Sequence, residues 1–491
     1  MIRAALRSAP SQLAWPLGIA VLAVATYLPS LRASFQFDDW SVIVFDDRVA
    51  SLAAWAASMP GIRPLLKFSY AVNNELSRLP SGFRGVNIAL HAINTLLVYL
   101  LLHTLGTKQG RDTSQVRRAA LVATLLFALH PVQTEAVTYI SGRSSSLSTT
   151  FALGSLVVWA KAGDSPRPFA LVLVSAALFA SALGVKETAI VLPLALLLWS
   201  AMARPAKDTA QSLQIALWPR AQLMRIVPHA ALAAFALLIA VSWLPYQRLL
   251  QASLQARDIG TNLLTQADAI FWLLGQLLCL SPINPDPALS VVSSSSYLSW
   301  LHAALVVTAI LAGFAQLRRR PALAFGVLWF FLWLLPTNSL LPRLDVANDR
   351  QLYLALIGPA WLAGLTVARL AKPADAPLSR KPAVGWTLAL VALASLTIVA
   401  TVRQNRIYAN EVSFWEAVAA RSPGSARAAD NLGFAYAMAC RQSDAAREFE
   451  RAIELDPNDV RARVNARLLQ EGALLSSSRA NNCVQSPVQR K

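Results

Sequence analysis

Long apolar runs separated by short polar segments recur along the chain from Leu13 to Val402. A helix needs roughly 17 to 25 mostly apolar residues to cross about 30 Å of hydrocarbon, and most of these runs have that length. The pattern therefore predicts an all-α, polytopic membrane bundle over residues 1–405, with about eleven spans. The spans lie near 13–31, 86–105, 118–136, 147–162, 168–184, 187–203, 227–245, 300–317, 322–336, 350–370 and 383–402.

Two segments need a closer interpretation. Residues 168–203 would extend about 54 Å as one helix, which is too long for a single crossing. A break after Gly184 gives two short spans and puts Lys186 and Glu187 at the tip of a hairpin, away from the bilayer centre, where each charge costs about 2.5 to 3.5 kcal/mol. Residues 269–282 are apolar but short, so we expect a re-entrant or interfacial helix there.

The composition becomes that of a soluble segment after Val402. Seven residues match the 34-residue tetratricopeptide pattern counted from Ala426. Three more residues lie one repeat length upstream and match the second helix of a preceding, incomplete repeat. We predict a small helical-repeat domain over 406–474, capped by 459–472, and a disordered tail over 475–491. The matching residues are Leu432, Gly433, Tyr436, Ala445, Phe449, Ala452 and Pro457, preceded by Trp415, Val418 and Pro423.

The charge distribution orients the bundle. The formal net charge of +18 could indicate a nucleic-acid partner, but the bases fall in alternate loops, as expected when Lys and Arg are retained on the cytoplasmic side. We therefore predict an inner N-terminus, an uncleaved first helix and an outer C-terminus, with no nucleic acid bound. The inner bases are Arg3, Arg7, Lys108, Arg111, Arg117, Arg118, Lys161, Arg167, Arg204, Lys207, Arg220, Arg225, Arg318, Arg319, Arg320, Lys372, Arg380 and Lys381.

Cysteine usage adds little. The three cysteines Cys279, Cys440 and Cys483 form no framework, and we expect unpaired thiols rather than a disulfide, although Cys440 and Cys483 would share an oxidising space.

Candidate chemistry gathers on the predicted outer face. Asp38 and Asp39 follow the first span, within a long outer loop over 32–85, and such a pair can supply a general base or bind a cation. Solvated loop acids are the plainer interpretation of the pair alone. Further polar groups lie where apolar helices meet the same surface: His130, Glu135, Arg143, Lys186, Glu187, Asn348, Asp349 and Arg350. His91 is the exception, because it lies a few residues inside the second span and could cap the buried end of that helix.

These residues lie in segments that resemble the transmembrane and tetratricopeptide-repeat O-mannosyltransferase family. The similar segments are FQFDDWSVIV, RPLLKFSYAVNNEL (63–76), VNIALHAINTLLVYLLL (86–102), LLFALHPVQTEAVTYISGRSSSLS (125–148), LGVKETAIVLPLALLLW (183–199) and PTNSLLPRLDVANDRQLYL (336–354). The resemblance covers nearly the whole chain, and HPVQTEAVTYISGR and VKET are its most distinctive parts.

The resemblance implies a type-C glycosyltransferase that moves a mannose-like sugar from a polyprenyl phosphate to a protein Ser or Thr hydroxyl on the non-cytosolic side. It implies that Asp38 or Asp39 is the base and that Arg143, Lys186 and Arg350 bind the lipid phosphate. The full set of candidate donor- or substrate-binding residues is Arg63, His91, His130, Glu135, Arg143, Lys186, Glu187, Asp349 and Arg350. The chain departs from the family in carrying about one and a half repeats, and in having Asn348-Asp349 where Glu is common.

Several alternatives stay open at this point. No zinc-like ligand spacing is present, and the acidic pair leaves a divalent cation undecided. The chain could instead be a membrane enzyme of the O-antigen ligase or polymerase kind, or a non-enzymatic scaffold or transporter. The repeat domain either holds an acceptor protein or caps the last span. The Ala- and Arg-rich, Lys-poor usage indicates a bacterial inner membrane with a periplasmic site, and an endoplasmic-reticulum membrane fits the same topology.

Overall fold

The computed structural model describes residues 2–203, 220–279, 282–292, 296–343, 345–370 and 381–474. Within these ranges the regular structure is helical throughout. The first half comprises α1 (Ile2–Tyr27), α2 (Leu52–Ala57), α3 (Pro64–Leu76), α4 (Pro80–Lys108), α5 (Thr113–Leu129), α6 (Thr134–Val137), α7 (Arg143–Ala162), α8 (Pro168–Val185), α9 (Leu192–Met202) and α10 (Arg220–Ser242). The second half comprises α11 (Leu244–Ala256), α12 (Ile259–Leu277), α13 (Tyr297–Ala315), α14 (Pro321–Leu334), α15 (Leu352–Ala355), α16 (Ile357–Leu370), α17 (Lys381–Ile407), α18 (Glu411–Arg421), α19 (Ala426–Met438), α20 (Gln442–Leu455) and α21 (Val460–Gln470).

The centre of the bundle is formed by α4, α5, α7, α14 and α16, which share one large apolar core. Small residues allow their backbones to approach closely. A Cβ on Gly364 would lie 2.2 Å from the Ala119 carbonyl oxygen, and one on Gly358 would lie 2.3 Å from the Gly326 carbonyl oxygen. Glycine is therefore required where α16 crosses α5 and α14.

Six helices are long and apolar enough to cross a membrane, and the number rises to eight if each of two bent pairs is one span. The predicted spans 118–136 and 350–370 are the bent pairs, with angles of 50° and 55° between their halves. The predicted spans 187–203 and 322–336 correspond to shorter apolar helices, Glu187–Met202 and Pro321–Leu334. The chain is thus multi-pass, whereas the count of eleven spans stays a prediction.

The long apolar run 168–203 is broken at Lys186 and Glu187, as predicted from this charged pair. Helix α8 ends at Val185, Lys186 is extended, and a 3-10 turn over Glu187–Val191 leads into α9. Of the short apolar segment near 269–282, residues 269–277 belong to α12, which begins at Ile259 and is not among the candidate spans; positions 280 and 281 lie outside the described residues.

Four helices, α18 to α21, follow the last long helix and occupy the predicted repeat region. A Cβ on Gly433 would lie 2.7 Å from the Phe449 ring, which explains the small residue at that place of the α19–α20 hairpin. The assignment of these hairpins to the tetratricopeptide class stays a prediction. Cys440 is disulfide-bonded, so the expectation that it is an unpaired thiol is wrong, while Cys279 is free.

Some predictions fall outside the described residues. These are the inner bases Arg204, Lys207, Lys372 and Arg380, together with Cys483 and the predicted tail 475–491.

Candidate active site

The two adjacent carboxyl groups after α1 have different surroundings. Asp39 is fully buried, and its Oδ1 accepts hydrogen bonds from the Ser141 amide (2.9 Å) and hydroxyl (2.6 Å). Its Oδ2 accepts from the Gln36 amide at 3.1 Å. Burial raises the pKa of Asp39 to about 7, against the opposing effect of the Ser141 hydrogen bond. Asp39 therefore connects the loop after α1 to Ser141 and holds this loop in place.

Asp38 is only half-buried, and its neighbours Phe37 and Tyr139 line a small polar cavity. Its amide donates to the Tyr139 hydroxyl oxygen at 3.1 Å. Burial, followed by the charges of Asp39 and Asp38, raises the pKa of Tyr139 well above its usual value, so the phenol stays protonated beside the Asp38 carboxylate. Of the two carboxyl groups, Asp38 is the one with an oxygen available to a ligand.

The opposite side of this cavity is formed by an ion pair. The Arg350 guanidinium lies 3.4 Å from Glu135 Oε1, and the Arg350 amide donates to Glu135 Oε2 at 2.9 Å. Glu135 comes from α6 and Arg350 from the turn before α15, so the bends at these two points bring the residues together. The Asp38 charge acts on Arg350 across the cavity.

The outer part of the cavity is closed by later segments of the chain. Arg427 of α19 contacts both Asp286 and, at 2.9 Å, Asp345, and Phe414 of α18 completes the lining. The C-terminal helices therefore contribute to the wall of the cavity next to Asp38.

A second small cavity lies on the other side of Arg350 and contains Lys186. The Lys186 ammonium donates to the Ser145 hydroxyl at 2.7 Å, and Thr337 of the late loop lines the same space. Burial, and then the positive charges of Arg350, Arg63 and Arg343, lower the pKa of Lys186 well below its usual value. This concentration of positive charge favours an anionic ligand.

Arg63 and Glu187 form an ion pair next to the positively charged cluster of Lys186, Arg343 and Arg350. The Arg63 guanidinium lies 2.9 Å from Glu187 Oε2, and the Tyr246 hydroxyl donates to Glu187 Oε1 at 3.1 Å. Because Glu187 neutralises Arg63, the net positive charge of the cluster comes from Lys186 and Arg343.

Arg143 has a different environment from Lys186 and Arg350. It is fully buried, and its guanidinium donates to side-chain or backbone oxygens of Asn87, Asn73, Phe83 and Ser69 at 2.8 to 3.1 Å. These bonds connect the start of α7 to α3 and α4. With its donors used in packing, Arg143 holds the helices together and lies apart from the two cavities.

The two histidines are also used within the bundle. His91 contacts the Tyr353 hydroxyl (2.8 Å) and the Ala128 carbonyl oxygen (2.9 Å), and His130 contacts the Leu277 carbonyl oxygen (3.0 Å). Asp349 is buried, and neither of its carboxyl oxygens has a hydrogen-bond partner among the described residues. The described residues contain no group of three or more His, Cys, Asp or Glu side chains able to hold a metal ion.

A large apolar groove of about 740 Å³ runs between α9, α12, α13 and α14. Leucine, isoleucine, valine and phenylalanine side chains form most of its walls, and Asn338 and Ser339 lie where it reaches the end of α14. The same end of α14 carries Trp333 and Thr337 on the Lys186 cavity. The groove and the positive cluster therefore lie on two sides of one helix end.

Sequence reasoning missed several residues of the site. Tyr139, Ser145, Arg343 and Asp345 lie inside the motifs that carry the family resemblance, and their position there is a signal that could have found them. Asp286, Glu411 and Arg427 lie outside those motifs, and nothing in their spacing indicates their contacts.

No family model matches the chain. It is similar to the protein O-mannosyl-transferase F38B6.6 of Caenorhabditis elegans, with 24% identity over 473 residues, covering 89% of this chain and 62% of that protein. It is also similar to human protein O-mannosyl-transferase TMTC4, with 32% identity over 166 residues, covering 29% of this chain and 22% of that one. The chain thus spans less than two thirds of the length of these curated relatives.

Among solved structures, the apo oligosaccharyltransferase of Archaeoglobus fulgidus has a TM-score of 0.43 and 14% identity, covering 80% of this chain and 56% of that one. The archaeal oligosaccharyltransferase AglB from the same organism, in complex with an inhibitory peptide and a dolichol-phosphate, has a TM-score of 0.40 and 13% identity over the same shares. The family resemblance of the sequence motifs is confirmed by the relatives, which are named protein O-mannosyl-transferases of the TMTC family.

Proposed function

We propose that this chain is a membrane glycosyltransferase that moves a hexose, mannose by family likeness, from a polyprenyl phosphate to a protein Ser or Thr hydroxyl. The observation that carries the proposal is the position of Asp38, which is half-buried next to Phe37 and Tyr139, two residues that line a polar cavity together with Arg350. Beyond Arg350 lies Lys186 with its excess of positive charge. Asp38, as the base, and Lys186, as part of a phosphate-binding cluster, thus lie on two sides of Arg350.

The reaction follows from this arrangement. The acceptor hydroxyl attacks the anomeric carbon, Asp38 accepts its proton, and the bond from that carbon to the phosphate oxygen breaks. The polyprenyl phosphate leaves with the negative charge, which Arg350 and Lys186 stabilise. A single displacement of this kind inverts the configuration of the sugar.

The apolar groove supports a lipid-linked donor. A polyprenyl chain stays in the bilayer while its phosphate remains at the membrane surface, so a binding site needs an apolar channel next to a cationic helix end. The groove along α14 ends beside the cavity that contains Lys186 and Thr337. We propose that the lipid tail lies in this groove.

We also propose that the site faces the non-cytosolic side. Residues 318–320, all arginine, precede α14, whereas Arg343 and Arg350 follow it. Lys161 lies in the last turn of α7, whereas Ser145, which lines the cavity that contains Lys186, lies in its first turn. The site therefore lies at the helix ends opposite the basic segments that the positive-inside rule puts in the cytoplasm. A bacterial inner membrane with a periplasmic site remains our preferred location.

The test is a transfer assay on the full chain reconstituted in vesicles, with a polyprenyl-phosphate mannose and a panel of Ser/Thr peptides. We expect Asp38→Asn to lose transfer by a factor of at least about 100, the typical contribution of a general base. We expect Asp39→Asn to retain a larger share of the activity, because Asp39 acts on the loop and not on the substrate.

Asp47→Asn is the matched control, because Asp47 is an exposed acid of the same outer loop. Parental turnover in Asp38→Asn would show that the base is wrongly assigned. Absence of transfer by the parent with every lipid-linked sugar tested would favour the scaffold or transporter alternative.

A further inference from the structure

The loop that carries Asp38 is held by the first residue of α18, which belongs to the C-terminal helical domain. Glu411 Oε1 accepts hydrogen bonds from the Phe37 amide (2.8 Å) and the Trp40 indole (2.9 Å). Glu411 Oε2 accepts from the Trp415 indole at 3.0 Å. One carboxylate thus connects the residue before Asp38, a residue two positions after it, and its own helix α18.

The backbone at Phe37 needs such a support. Phe37 has a φ of 47°, in the left-handed region that a residue with a large side chain rarely adopts. This conformation persists only where the surroundings hold it in place, and it is common at functional sites. Besides the bond from its amide to Glu411, the Phe37 ring packs edge-on against Trp415, with 5.3 Å between ring centroids.

Neighbouring contacts extend the same interface. The Gln36 amide group donates to the Tyr408 carbonyl oxygen, and the Ser34 amide donates to the Ala409 carbonyl oxygen at 3.2 Å. The loop before Asp38 is therefore fixed along the joint between α17 and α18. Because Asp38 follows Phe37 directly, the direction of its side chain depends on this joint.

We propose that Glu411 is the positioning residue for Asp38, and that the C-terminal helical domain is thereby a part of the catalytic unit. Glu411 does not line the cavity and acts through Phe37 and Trp40. The proposal rests on the function proposed above, with Asp38 as the base. It gives the domain a task that needs neither a long repeat array nor a bound partner.

The experiment uses the full reconstituted chain and compares Glu411→Ala, Glu411→Gln and Asp38→Asn with the parent. We expect Glu411→Ala to lower kcat at least tenfold while KM for the lipid donor stays within twofold, because the phosphate cluster is not touched. Hydrogen exchange should show lost protection in residues 34–45 of this variant and parental protection in α4 and α7.

The conservative variant offers a rescue test. In Glu411→Gln the amide oxygen can still accept from Phe37 and Trp40, but the new amide group faces the Trp415 indole N–H, so two donors oppose each other. Adding Trp415→Phe removes the opposing donor. We expect kcat of the double variant to recover to at least half the parental value, and kcat of Glu411→Gln alone to stay below it.

Glu416→Gln is the control, since Glu416 lies on the same helix and accepts from Tyr436 at 2.8 Å, away from the loop. Parental kcat in Glu411→Ala, beside an inactive Asp38→Asn, would overturn the positioning role and leave the proposed function standing. An active Asp38→Asn would instead overturn the base assignment. If hydrogen-exchange protection is lost along the whole chain of Glu411→Ala, and kcat does not recover in the Glu411→Gln, Trp415→Phe double variant, Glu411 has only a general structural role.

Discussion

At the scale of single residues, Asp38 and Asp39 show how the backbone separates the tasks of two identical side chains. Asp39 points into the protein and accepts three hydrogen bonds, whereas Asp38 remains only half-buried. A sequence pattern cannot make this distinction, because the spacings of two adjacent residues to every motif differ by only one position. The distinction has a consequence for the pH dependence of stability.

We expect the melting temperature of the parent to fall, relative to that of Asp39→Asn, as the pH rises from about 4 to about 7. The folded chain keeps the Asp39 proton up to a pKa of about 7, whereas the unfolded chain releases it near 3.8, so raising the pH favours the unfolded state over this interval. Thermal unfolding in detergent, measured in steps of pH, checks this. Asp47→Asn should keep the parental slope, and a parental slope in Asp39→Asn would contradict the argument.

Lys186 is the residue whose removal should affect donor binding most directly. It donates to Ser145 and lies in the field of Arg350, Arg63 and Arg343, so an entering phosphate would relieve charge repulsion. We expect Lys186→Gln to raise KM for the polyprenyl-phosphate sugar about tenfold, which corresponds to about 1.4 kcal/mol. The control is Lys161→Gln, an exposed lysine at the other end of α7, and an equal effect of both variants would count against a local phosphate site.

At the scale of the elements, hydrophobic patterning predicts where helices lie but not how straight they are. The predicted spans 118–136 and 350–370 each coincide with helices, yet both pairs are bent by 50° or more. In the first, Pro131 follows the end of α5, and a proline inside an apolar run is a visible reason for a break. The second break has a similar marker, because Pro359 has no N–H to donate to the carbonyl of Ala355, where α15 ends.

The family motifs predicted the positions of the site better than the roles of its residues. Lys186, Glu135 and Arg350 come together, but Arg143 and His91 lie in the same motifs and make packing contacts. Arg143 contacts residues 56 to 74 positions away, and such distances cannot be derived from one sequence. Glu411 was missed because an acidic residue in the first turn is common in solvent-exposed helices, so its position gives no signal of a contact with the loop.

At the scale of the whole molecule, the bundle and the C-terminal helices line one cavity together. Arg350 separates the cavity beside Asp38 from the cavity that contains Lys186, and the groove along α14 ends next to the latter. A donor lipid lying in the groove would thus present its phosphate near Lys186 and its sugar toward Asp38. This arrangement predicts that the groove contributes to the binding of donors with long lipid chains and does not take part in the transfer step.

The test is to fill the groove from α13. Ile310 lines the groove, whereas the next residue, Leu311, is 61% exposed and does not line it. We expect Ile310→Trp to raise KM about tenfold for a long-chain polyprenyl-phosphate sugar, because a large side chain in an apolar site costs roughly 1 to 3 kcal/mol of packing energy. For a water-soluble analogue with one or two isoprene units, KM should change less than twofold, since so short a tail leaves the groove empty. Leu311→Trp adds the same side chain to the same helix and should leave both KM values at the parental level. If both tryptophan variants weaken the long-chain donor equally, the effect belongs to the helix surface, and the lipid tail must lie elsewhere.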